Sequence, residues 1–128
     1  EVNLVQSGTV LKGPSATVQI SCVTSGYSLT NYGMYWIKQF SEKSLELVAY
    51  IFTGVNYNQH YTPKMKSKAN FTKENANSSL YYMEIRNVTA EDTALYYCTW
   101  WGRSFQFLIW SLVQNPSWGT GTLVTVSS

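Results

Sequence analysis

The chain has very few of the groups from which reactive sites are built. Its 128 residues include a single histidine, His60, and two cysteines, Cys22 and Cys98, far apart in the sequence. Two thiols and one imidazole without close ligand spacing cannot supply a structural zinc site. A nucleophile–base pair needs a His, Lys or acid brought to a Ser or Cys, and His60 sits alone in an expected outer strand. Glu42, Glu46, Glu74, Glu84 and Glu91 fall in turns or on exposed strand phases. The expectation is a protein that is not an enzyme, with no catalytic residue, cofactor or metal. Charge of one sign is also missing: the net charge is +2 and the basic residues are scattered among acidic ones, a solvated surface without the cluster that nucleic acid requires. No uninterrupted apolar run is long enough to cross a bilayer, so no membrane insertion by this domain is expected. No helical period of useful length and no internal repeat occurs. Glu1 opens directly on a strand pattern with no signal peptide, as in the mature form of a secreted or membrane-anchored protein.

What is present is strand signal. In Glu91-Asp92-Thr93-Ala94-Leu95-Tyr96-Tyr97-Cys98, Ala94, Tyr96 and Cys98 alternate with Thr93, Leu95 and Tyr97, the period of a strand with two differently used faces. A Tyr two residues before a Cys fits a tyrosine corner, and Trp36 lies between the two cysteines in the strand-like run Met34 to Gln39. Val18, Ile20 and Cys22 point one way and Thr17, Gln19 and Ser21 the other. Val2 to Gln6 alternates until Gly8 breaks the run, as in an edge strand that switches sheets. Lys12 to Ser15 and Ser41 to Ser44 read as turns, with Leu45 to Phe52 as a strand between Ser44 and a hairpin tip at Thr53 to Asn56. A short outer strand is expected at Tyr57 to Tyr61, and further strands at Lys68 to Thr72 and Leu80 to Ile85, joined by the turn Glu74 to Ser79. Trp118 to Val126 closes the sheet, its Gly119-Thr120-Gly121 read as a bulge, since no helix follows to make a phosphate loop.

Cys…Trp…Cys with the tyrosine corner is the signature of an immunoglobulin sandwich. The chain resembles an antibody heavy-chain variable domain from Glu1 to Ser128. The resemblance is tightest at Ser21-Cys22, Ser25-Gly26-Tyr27, Glu91 to Cys98 and the ending Trp118 to Ser128, which looks like a heavy-chain joining segment. It implies an all-β, V-type, two-sheet antiparallel sandwich over residues 1–128, with one intersheet disulfide between Cys22 and Cys98 packed against Trp36. The residues alone leave two buried free thiols as the alternative. A bridge closing a loop of some 75 residues would stabilise the fold by roughly 4–5 kcal/mol. The family also pairs a basic residue at the Lys68 position with the acid at Asp92.

The resemblance places three antigen-binding loops at one end, Ser28 to Tyr35, Tyr50 to about Tyr61, and Trp101 to Ser117. Their own chemistry agrees: Asn31, Tyr32, Tyr35, Tyr50, Phe52, Asn56 and Tyr57 are the aromatic and amide types that give contact area at low entropic cost. The third loop is long and apolar, with Arg103 its only charge, and Trp101, Phe105, Phe107 and Trp110 are its expected anchors. Such a patch left in water invites aggregation, so antigen, a second chain or its own sheet must cover it. Leu108, Leu112 and Val113 are expected to cover rather than to bind.

Chain pairing in the family uses the face that here carries Ile37, Gln39, Leu45, Leu47, Tyr97 and Trp118, so a paired light-chain-type variable domain is a candidate partner beside a protein or other antigen. Leu47 stands where Trp is usual, and Phe40 and Glu42 replace a small residue and a turn glycine. Trp100 and Pro116 take the places of a basic residue and its Asp, so the third-loop stem lacks the usual salt bridge. Three N-glycosylation sequons stand at Asn70, Asn77 and Asn87. They fit a heavily mutated antibody, or a T-cell-receptor variable domain built on a heavy-chain-like segment, which is the second reading. Either reading implies secretion or the extracellular side of the plasma membrane.

Overall fold

The computed structural model describes residues 3–25, 32–42, 44–52, 58–74, 79–102 and 117–127. The readings placed on Asn31, Asn56, Tyr57, Asn77, Arg103, Phe105, Phe107, Leu108, Trp110, Leu112, Val113 and Pro116 lie outside these residues. In chain order the strands are β1 Asn3–Gln6, β2 Val10–Lys12, β3 Val18–Ser25, β4 Tyr32–Ser41, β5 Ser44–Phe52, β6 Asn58–Tyr61, β7 Ala69–Lys73 and β8 Leu80–Ile85. A 3₁₀ turn at Ala90–Asp92 follows, then β9 Ala94–Gly102, β10 Ser117–Trp118 and β11 Thr122–Val126.

Two sheets result. One runs β1-β3-β8-β7; the other runs β2-β11-β9-β4-β5-β6, with β10 paired to β9. The chain is an all-β sandwich of the V type. The break at Gly8 does what the sequence implies: β1 pairs antiparallel with β3 in the first sheet, and β2 pairs parallel with β11 in the second. Alternation builds the core, because each strand buries every second residue: Val18, Ile20 and Cys22 from β3, Phe71 from β7, Tyr81, Met83 and Ile85 from β8, Met34 and Trp36 from β4, and Tyr96 and Cys98 from β9. Burying each large apolar side chain contributes about 1.5–3 kcal/mol, which outweighs the weak intrinsic preference of any single strand.

Cys22 and Cys98 form a disulfide that ties β3 to β9 and so one sheet to the other. No cysteine is free, which removes the two-thiol alternative. Trp36, fully buried, lies directly opposite Cys98 in the β4–β9 register. Two departures from expectation bear on the site. Trp118 to Val126 is not one strand with a bulge; it is interrupted at residues 119–121, between β10 and β11. The cause is the side chain of Gln6, which is buried at this break. Its Oε1 accepts from the backbone N–H groups of Cys98 (3.1 Å) and Gly121 (3.0 Å), and its Nε2 donates to the carbonyl of Tyr96 (2.9 Å) and to Thr122 Oγ1 (3.2 Å). Gly121 has φ of 91°, a left-handed conformation in which a Cβ would also come within 2.8 Å of the Tyr97 ring. The second difference concerns the binding loops and is taken up with the site.

At the opposite end of the sandwich the tyrosine corner is formed. Tyr96 Oη donates to the carbonyl of Asp92 at 2.6 Å. Burial raises the Tyr96 pKa above its ordinary 10.0, with the nearby Asp92 and Glu46 charges acting the same way. The neutral phenol is the form the fold prefers, so this contribution is intact below pH 10.0 and is lost as pH rises above it. We therefore expect Tyr96→Phe to cost about 1–3 kcal/mol at neutral pH, the penalty for leaving a buried acceptor unpaired. The variant should also lose less stability than the parent between about pH 8 and pH 11. Urea unfolding at both pH values measures this, and an equally steep alkaline loss in the variant would refute it.

Candidate functional site

The ends of β4, β5, β6 and β9 lie side by side. Tyr32 is opposite Gly102, Gly33 is opposite both Trp101 and Phe52, and Phe52 is opposite Asn58. From these neighbouring strand ends the chain continues into residues 26–31, 53–57 and 103–116, which hold the centres of the three expected loops. Tyr35, Tyr50 and Phe52 lie in β4 and β5, inside the strand runs Met34 to Gln39 and Leu45 to Phe52 that the sequence implies. The strands reach further at Tyr32, which belongs to β4, at Trp101, which belongs to β9 rather than to the third loop, and at Ser117 in β10. Backbone pairing explains the extension: Trp101 and Gly102 complete a ladder with Gly33 and Tyr32, and an aromatic-rich segment satisfies its amides in a strand as readily as it makes contact surface.

Two of the candidate tyrosines come together, and they bring a residue that sequence reasoning set aside. Tyr35 lies opposite Tyr50, and Tyr50 opposite His60. The Tyr35 and Tyr50 ring centroids are 4.6 Å apart, and His60 stacks on Tyr50 at 6.0 Å. Aromatic pairs at such separations contribute about 0.5–1.5 kcal/mol beyond their buried area. Tyr35 and Tyr50 are half-buried and His60 is exposed, so the row runs from the sheet face out to solvent. Gly33 makes room for it, since a Cβ there would stand 2.7 Å from Tyr50 Cε1. His60 was read as an isolated residue of an outer strand. Its relation to Tyr50 needed the strand register, which no local pattern displays.

The same side of the second sheet carries the expected pairing residues. Ile37 and Gln39 follow Tyr35 at two-residue spacing and are half-buried, as is Tyr97. Leu45, Leu47 and Trp118 are 56%, 40% and 44% exposed, and what marks them is that they share one face rather than their individual exposure. Leu47 stands opposite Ile37, Leu45 opposite Gln39, and Trp118 packs edge-on to Tyr97 at 5.4 Å. All six residues therefore share one face. Trp100, opposite Met34 and Ser117, packs against the core from the β9–β10 stem.

Beneath this face is a charged network that sequence reasoning only half found. Lys68 Nζ meets Asp92 Oδ2 at 2.7 Å, the expected pair. Lys38, 2% exposed, was not anticipated: its Nζ donates to the Glu91 carbonyl at 2.7 Å and sits 4.0 Å from Asp92 Oδ1. Phe40 shields it, its ring centroid 4.4 Å from the ammonium. Desolvation lowers the Lys38 pKa, against the pull of Asp92. The signal was available, because Lys38 shares the inward phase of Met34 and Trp36. A lysine in that phase demands an acid, and Asp92 supplies it.

The immunoglobulin V-set domain model matches residues 5–126 of the chain. The chain belongs to the immunoglobulin V-set family. V-set domains recognise antigen or other ligands or pair with a second variable domain; they are generally not enzymes and are typically extracellular or secreted. Among the described residues of this V-set domain no helix is long and apolar enough to cross a membrane.

Proposed function

We propose that residues 1–128 form one heavy-chain-type variable domain that binds antigen through the strand ends of β4, β5 and β9 and the three segments they carry. The convergence of those ends beside Tyr35 and Tyr50 supports this most directly. In this reading Trp101, Arg103, Phe105, Phe107 and Trp110 supply the central anchors. Asn31, Tyr32, Tyr35, Tyr50, Phe52, Asn56 and Tyr57 flank them, a division in which a few aromatic groups carry most of the energy. The exposed Leu45, Leu47 and Trp118 support pairing with a light-chain-type variable domain over Ile37, Gln39 and Tyr97. Secretion, or display on the outer face of the plasma membrane, follows from the same reading. The three sequons favour a second reading, a T-cell-receptor variable domain built on a heavy-chain-like segment.

An array of proteins, glycans and lipids probed with the secreted domain identifies a ligand, and an alanine scan then measures affinity and melting temperature together. Phe105→Ala, Phe107→Ala and Trp110→Ala are each expected to weaken binding by about 2 kcal/mol or more at unchanged melting temperature. Leu108→Ala, Leu112→Ala and Val113→Ala should instead lower the melting temperature. Binding that survives replacement of residues 103–116 by a Gly/Ser linker would reject the proposed site.

A further inference from the structure

Two of the sequons share a geometry in the folded chain, which strand alternation already implies for Asn70. In Asn70-Phe71-Thr72 the first and third residues are exposed while Phe71 is in the core. In Asn87-Val88-Thr89 the outer residues are again exposed and Val88 is fully buried. Each acceptor amide thus stands on solvent-facing backbone with its hydroxyl residue two positions on, anchored by a buried residue between them. Asn87 has φ of 50°, the left-handed region that asparagine tolerates better than most side chains. Asn70 belongs to the first sheet, and Asn87 to the connection that leaves it. Asn70 lies on its edge strand β7, opposite Glu84, and Thr72 lies opposite Tyr82. Asn87 follows the end of β8 by two residues. The third sequon, at Asn77, falls in the sequence joining β7 to β8. No strand of the second sheet carries a sequon. The exposed apolar side chains Leu45, Leu47 and Trp118 lie on that second sheet, and, among the described residues, those of the first sheet, Val5 and Val23, lie on β1 and β3, on the side away from β7.

We propose that Asn70 and Asn87 are N-glycosylated, and that their glycans cover the outer face of β7 and β8 while the Leu45–Leu47–Trp118 face stays bare for a protein partner. This rests on the chain being a secreted or surface-displayed variable domain. The step requires a lipid-linked oligosaccharide pyrophosphate donor. A bond forms between asparagine Nδ2 and the anomeric carbon, the bond from that carbon to the pyrophosphate oxygen breaks, the amide gives up one proton, and lipid pyrophosphate leaves. A glycan on Asn70 stands beside Glu84 and diagonally across from Tyr82, within the reach of cross-strand neighbours. A partner approaching β7 and β8 is thereby excluded, and the apolar face of the other sheet is left as the docking surface.

The test is secretion of the chain from glycosylating cells, amidase treatment in heavy-oxygen water and peptide mapping. Conversion of both Asn70 and Asn87 to labelled aspartate is expected; unconverted asparagine at either position overturns the proposal. Hydroxyl-radical labelling before and after the amidase tests the coverage. Tyr82 should label several-fold more strongly once the glycans are removed, with Trp118 unchanged. No change at Tyr82, or an equal change at Trp118, also overturns it. Ligand binding measured on the amidase-treated domain keeps the two ideas separate, because antigen recognition can stand when occupancy fails.

Discussion

Replacing Cys22 and Cys98 together by alanine is expected to lower the unfolding free energy by about 4.5 kcal/mol. The bridge joins residues 76 positions apart. In the chain-entropy model a cross-link of that span removes about 15 cal/mol/K from the unfolded ensemble, which gives the figure quoted at room temperature. The native state loses a packed group as well, since both cysteines are fully buried and Trp36 lies opposite Cys98. A loss of this size is a large part of the roughly 5–15 kcal/mol that holds an ordinary domain together, so the variant should melt far lower or fail to fold at body temperature. Urea unfolding of the double alanine variant against the parent is the measurement. A loss below about 2 kcal/mol would mean that the sandwich is held chiefly by its core and that the bridge is secondary.

The second large effect is expected at Asp92. Its carboxylate, 5% exposed, accepts from Lys68 Nζ (2.7 Å) and from the Thr89 backbone N–H (2.8 Å), and lies 4.0 Å from the buried Lys38 Nζ. The same residue completes the capping box of the 3₁₀ turn, and its carbonyl receives the Tyr96 hydroxyl. Asp92→Ala removes the only acid that, among the described residues, lies within salt-bridge range of Lys38, so a buried ammonium keeps its desolvation cost without its compensation. Truncating one partner of a buried ion pair costs about 3–5 kcal/mol. Asp92→Asn retains an acceptor for Thr89 and should lose less. Replacing Lys38 by methionine in the Asp92→Ala background should recover part of the loss, because it removes the stranded charge. Denaturant midpoints of the four proteins decide the point. Equal stability of Asp92→Ala and the parent would show the network to be unimportant.

Much of this was legible from residues alone, for a physical reason. A strand that buries one face must alternate, so Val18-Ile20-Cys22 and Ala94-Tyr96-Cys98 announce their strands locally, and the positions of Cys22, Trp36, Tyr96 and Cys98 are enough to announce the sandwich. The tyrosine corner and the sheet switch after Gly8 follow from such local signals, whereas the Cys22–Cys98 bridge and the Lys68–Asp92 pair were implied by the family resemblance. What pairs with what across strands was not written locally. The stacking of Tyr35, Tyr50 and His60 depends on the register of β4, β5 and β6. The reach of β9 through Gly102 depends on a ladder with Tyr32 and Gly33, and the interruption at residues 119–121 depends on Gln6 arriving from the far end of the chain. Lys38 had the inward phase to betray it, yet its partners lie more than fifty residues away. By itself, then, the sequence determined the two-sheet sandwich and the family resemblance that implied the disulfide, because burial at alternate positions and the Cys…Trp…Cys spacing leave marks on neighbouring residues. Only the tertiary structure decided which aromatics stack, which lysine is buried and which sheet carries the Asn70 sequon, because those facts depend on distances between residues remote in the chain.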